Sequence, residues 1–114
     1  VQGLVSAFAA AGVGYVVTSL WEADDFAAAE LMRRFYRLLQ QGRPVPDALR
    51  EAKASLAPAP VAQLKQAGWD ALRRDPDTSA AMRAVLDLRL DRADSFRPFA
   101  DEHYWGGFVC HRCR

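Results

Sequence analysis

A chain of 114 residues, 51% hydrophobic and 25% charged, has the make-up of one folded domain and excludes an intrinsically disordered segment. A net charge of +1, with no stripe of Lys and Arg, excludes the phosphate neutralisation that nucleic-acid binding requires. No apolar run approaches the roughly 20 residues that span a bilayer, and Cys110 and Cys113, both near the end, do not make a secreted disulfide framework, so no membrane and a cytoplasmic location are expected.

The first segment, "VQGLVSAFAAAG", carries Val1, Leu4, Val5, Phe8 and Ala11 at helical spacing, with Gly12 in the position that ends a helix. "VGYVVTSLW" follows as a continuous apolar run rich in valine, the pattern of a strand covered on both faces. Three acids, Glu22, Asp24 and Asp25, then stand between that strand and a helix predicted from Asp25 to Gln41. Its apolar stripe is Ala28, Leu31, Met32, Phe35 and Leu39, with Arg33, Arg34 and Arg37 expected to face water and Glu30 spaced to pair with Arg34. Gly42 ends this helix, and Pro46 sits in the first turn of the next, which turns Ala48, Leu49, Ala52 and Leu56 inward.

From Pro58 to Glu102 the texture changes. Two weaker helical patterns, "VAQLKQAGWDALRRD" and "DTSAAMRAVLDLRLDRA", read as a helical insertion over 58–102. Asp77 or Thr78 is the expected cap of the second, Trp69 a packing anchor, and a polar linker is expected to run on to Asp101. The closing "HYWGGFVCHR" reads as a last strand seated by Tyr104 and Trp105, with Gly106 and Gly107 marking a bulge or a close backbone approach. Two strands are too few for a helix-covered sheet, and the first helix lacks a cap. The expectation is therefore a partial domain, completed by strands from elsewhere and prone to aggregate alone.

The run "GLVSAFAAAGVGYVVTSLWEADDFAAAELMRRFYRLLQQGRPVPDALREAKASL", closed by "HYWGGFVCHR", resembles the C-terminal half of a CHAT domain, the caspase-like peptidase domain often found beside tetratricopeptide repeats. The likeness covers Gly3 to about Leu56 and Tyr104 to Val109, and the "LW" with nearby acids is also similar to separase. The resemblance implies an α/β, caspase-like fold: residues 1–114 would be the small-subunit-like, C-terminal portion of a mostly parallel sheet flanked by helices, with "VGYVVTSLW" the fifth strand and the last strand antiparallel beside it. It implies a bacterial-type cysteine endopeptidase, a hydrolase with no cofactor, whose Cys–His dyad would lie on the N-terminal portion of the same domain, that portion being the expected partner.

Within this chain, His103, His111, Cys110 and Cys113 are the only residues that could substitute for the dyad. Cys110 and His111 are consecutive in a strand, so their side chains point to opposite faces, and "CHRC" supplies too few ligands for a zinc site. No catalytic and no metal residue is expected here. Ligands of open α/β sheets sit beyond the carboxyl ends of the strands. By resemblance, Thr18, Ser19 and Trp21 would run beside a protein or peptide substrate, with Glu22, Asp24 and Asp25 setting what the pocket admits. A carboxylate there accepts a forked pair of bonds from a guanidinium, and no arginine lies between Val1 and Glu30 to receive an acidic residue instead. Cleavage after Arg or Lys is the expectation. One aspartate would also cap the helix, and a catalytically inactive scaffold or signalling adaptor of the same fold is the alternative function. A small-ligand α/β domain is a weaker third, since no glycine-rich phosphate loop is present.

Overall fold

The computed structural model describes residues 14–20 and 24–112. The helix expected over the first twelve residues, Trp21, Glu22 and Cys113 lie outside them.

Val16, Val17 and Thr18, branched at Cβ, favour extended backbone, and strand β1 runs Tyr15–Ser19. It pairs antiparallel with β2, Phe108–Arg112, in the register Tyr15↔Arg112 to Ser19↔Phe108. Side chains alternate across this pair. Val17, Cys110 and Phe108 turn to the core, while Val16, Thr18, Val109 and His111 share the other face and are part-exposed. The described elements thus cover one face of β1, where the continuous apolar run predicted two. The last strand is shorter than expected. Residues 102–104 form a 3-10 turn capped by Asp101, and Gly106 lies so close to Glu102 that an added Cβ would stand 2.9 Å from the Glu102 carbonyl oxygen and 2.5 Å from its Cγ. Gly106→Ala must displace backbone, and a loss of about 1–3 kcal/mol is expected in urea unfolding.

Helix α1 spans Asp25–Gln40 and ends in a Schellman arrangement. Gly42 adopts φ 89°, its N–H donates to Leu39 O at 3.0 Å, and Arg43 N–H donates to Leu38 O at 3.1 Å. Helix α2, Val45–Leu56, folds back against α1 with Ala48, Leu49, Ala52 and Leu56 buried, as their spacing predicts.

Segment 58–102 is built differently from a simple helical pair. The pattern read as one helix from Val61 to Asp75 divides into α3, Val61–Leu64, a π-turn over Lys65–Trp69, and α4, Asp70–Arg74. The break sits at Gly68, whose φ of 116° is open to glycine and strained for other residues. Helix α5, Ala80–Leu90, is capped by Ser79, which accepts from Met82 N–H, and not by Asp77 or Thr78. The Thr78 hydroxyl donates to Leu72 O and is spent on the preceding turn, to which Asp77 N–H also bonds at Asp75.

The expected polar linker after α5 is a structural strap. Phe99 within it is fully buried, and the carbonyls of Phe96 and Asp94 accept the Val61 and Ala62 N–H groups at 2.8 and 3.1 Å. Pro60 precedes α3 and has no side chain to cap it, so the strap satisfies donors the helix leaves unpaired.

Of the three arginines expected to face water on α1, Arg37 is exposed and Arg33 partly so, but Arg34 is buried. Glu30 is fully buried and accepts from Arg33 Nε and Nη2 at 2.8 and 2.7 Å, from Arg34 Nε at 2.6 Å, and from Trp69 Nε1 at 2.7 Å. Arg34 is itself buried and reaches Ser55 O and Gln63 Oε1. Trp69 therefore anchors segment 58–102 twice, by this bond and by its ring 4.6 Å from that of Phe26. The helical period placed Arg34 on the outside of α1, and α3 arrives to cover it. Among the described residues, no helix is long and apolar enough to cross a membrane.

Candidate functional site

Four of the expected site residues are described: Thr18 and Ser19 at the end of β1, and Asp24 and Asp25 at the start of α1. Leu20 N–H donates to Gly107 O at 2.8 Å, and Leu20 stands opposite Gly107 in the register. In an antiparallel ladder, directly opposed residues alternate between exchanging hydrogen bonds and not. Leu20, Thr18 and Val16 therefore spend their backbone groups on β2, whereas Val17 and Ser19 turn theirs to the opposite edge. Of the expected strand-addition residues, Thr18 spends its backbone groups on β2, while Ser19 turns its own to the other edge. The Thr18 hydroxyl lies 3.0 Å from His111 Nε2, on the face away from the helices. A groove of about 580 Å³ follows the Val17–Ser19 edge, walled by Tyr15, Met32, Phe35 and Phe108.

Beyond the undescribed 21–23, Asp24 and Asp25 enter α1. Asp24 is the N-cap: its Oδ1 accepts from Ala27 N–H at 2.9 Å. That bond fixes the carboxylate against the helix and leaves Oδ2 directed outward, where Arg89 of α5 donates to it. The Arg89 guanidinium also lies 5.3 Å from the centre of the Tyr104 ring. Asp25 is exposed in the first turn and makes no ion pair among the described residues. Thus the capping role and the second, outward acid are divided between neighbours.

Cys110 and His111 point to opposite faces, as alternation requires: Cys110 packs on the core opposite Val17, while His111 meets Thr18. His103 is exposed in the 3-10 turn. Among the described residues no group of three His, Cys, Asp or Glu side chains is arranged to hold a metal ion. Arg89 is the residue that sequence reasoning missed. It stands 65 positions from its partner, and no local pattern links the two.

The CHAT domain family model matches residues 1–112. This chain belongs to the CHAT domain family. No curated protein and no solved structure matches it. Membership makes it a caspase-like, protease-related domain, and the matched span includes 58–102 as well as the two strands. In this CHAT domain, the cap of α1 and the end of α5 meet through Asp24 and Arg89.

Proposed function

We propose that this CHAT domain is the C-terminal, small-subunit-like portion of a caspase-like cysteine endopeptidase that cleaves proteins after Arg or Lys. Its two strands complete a mostly parallel sheet, and the Cys–His dyad is carried by the N-terminal portion of the same domain. Segment 58–102 is an insertion into it. The substrate lies beyond the carboxyl end of β1, beside Thr18, Ser19 and then Trp21, while Glu22, Asp24 and Asp25 receive its basic side chain.

The observation that carries this reading is the state of Asp24. The helix cap holds its carboxylate in one orientation, and the outward oxygen accepts a guanidinium. The chemistry needed to bind a basic residue is therefore compatible with the rim. Asp25, exposed beside it, adds a second negative charge within the same turn. A charge-assisted bond contributes about 1.5–3 kcal/mol, enough to favour an arginine over an alanine peptide by about one to two orders of magnitude.

The test uses the domain with its N-terminal portion present. Asp24→Asn keeps an oxygen for the cap and removes the charge, and Asp25→Ala removes the outer acid. Each is expected to lower kcat/KM for an arginine peptide about 10–100-fold relative to a neutral one. Unchanged selectivity in both variants removes the acidic-rim reading, and absence of cleavage in the unaltered domain favours the scaffold alternative.

A further inference from the structure

We infer that Arg89 is an internal occupant of the acidic rim, a latch carried by segment 58–102 that a basic substrate residue must displace. The inference rests on the proposed binding of a basic residue at Asp24 and names what regulates that site.

Three features point to it. First, the donor that reaches Asp24 Oδ2 is a guanidinium, the same group the rim is proposed to bind, so guest and latch compete for one oxygen. Second, Arg89 comes from the far end of α5 and is held in place by the Tyr104 ring, in the turn that leads into β2. Ring stacking orients the guanidinium before the pair forms, which reduces the freedom lost on closing. Third, the pair is weak enough to open. Both side chains are 21% exposed, and a partly hydrated ion pair with one ring contact contributes modestly. The cap bond to Ala27 does not depend on Arg89, so opening the latch exposes Oδ2 without unwinding α1.

Segment 58–102 is otherwise tied down elsewhere, by Trp69 on Glu30 and by Phe99 in the core. Arg89 can therefore swing out while its helix stays docked. A latch closed in about nine molecules of ten lowers the apparent affinity for a competing guanidinium about tenfold, which is about 1.4 kcal/mol.

The experiment measures binding, without cleavage, of N-acetyl-arginine amide to the domain by calorimetry, with N-acetyl-citrulline amide as the neutral isostere. Arg89→Gln is expected to bind the arginine amide about tenfold more tightly than the unaltered protein, and Asp24→Asn in that background to abolish the gain. Citrulline amide is expected to show no change. Arg89→Lys, with a point charge and poorer ring stacking, should fall between, which guards against a fold defect in the glutamine variant. Thermal unfolding of each variant is recorded alongside. A fall in Tm with no rise in affinity marks Arg89 as a fold clasp and overturns the latch, while binding that still depends on Asp24 or Asp25 leaves the acidic-rim reading standing. No binding of the arginine amide to any variant overturns both.

Discussion

Glu30→Ala is expected to remove about 3–5 kcal/mol of stability, a large share of what a domain of this size possesses. The carboxylate is fully buried yet accepts four hydrogen bonds from three side chains, Arg33, Arg34 and Trp69. Removing it leaves the Arg34 guanidinium, with only 10% of its side chain exposed, beside an indole N–H that has lost its acceptor. The cost arises from the groups left behind more than from the pair itself. Replacing both Glu30 and Arg34 by leucine is accordingly expected to cost less than the sum of the two single changes. A loss below 1 kcal/mol in Glu30→Ala, by chemical denaturation, would show that water reaches Arg34.

The same cluster sets a pH dependence. Burial pushes the Glu30 carboxyl up, but the hydrogen bonds from Arg33, Trp69 and Arg34, with the Arg34 charge, outweigh it and hold the group below its ordinary value of 4.5. A depressed folded value means that this stabilisation is fully present above the unfolded value and is lost as pH falls through the folded one. Tm of the unaltered domain is expected to drop more steeply below about pH 4 than that of Glu30→Gln, which has no such proton to gain. Parallel Tm curves for the two proteins would contradict this.

Phe99→Ala is expected to cost about 3–5 kcal/mol. The ring is fully buried, edge-on to Phe26 with centroids 5.2 Å apart and to Tyr104 at 5.5 Å, and the residue's carbonyl accepts the Trp105 indole N–H at 3.1 Å. Losing it opens a cavity where α1, the strap and the turn before β2 meet. The strap also supplies carbonyls to the first turn of α3, so loosening it uncovers helix donors as well. Phe99→Leu, which keeps most of the volume, is expected to lose less than about 1.5 kcal/mol. Equal losses for the two variants would mean that the aromatic contacts matter more than the cavity.

Fold and site were legible to different degrees. Strand β1, helices α1 and α2, the glycine stop at Gly42 and the aspartate cap follow from neighbours within one or two turns, and all could be read locally. Three of the expectations that failed share one kind of reason. Arg34 was assigned to water because its helical face is polar, but α3 packs over that face. The 94–101 stretch read as linker because polar residues surround Phe99, and one aromatic ring gives no period. The long helix pattern after Pro60 hid a break, since a glycine inside a periodic run does not announce a positive φ.

The residue types alone set the expectation of negative charge beyond a hydrophobic strand, because strand, acids and helix start lie within about a dozen consecutive positions. Family membership was readable, since the residues that carry the resemblance are contiguous apart from the closing strand. Only the tertiary structure decided which backbone groups of β1 face β2, and which cation sits on Asp24. Register depends on pairing with a strand some ninety residues away, and Arg89 comes within reach only after α5 has docked. Contacts between distant segments are set by how elements pack together, and local spacing does not encode them.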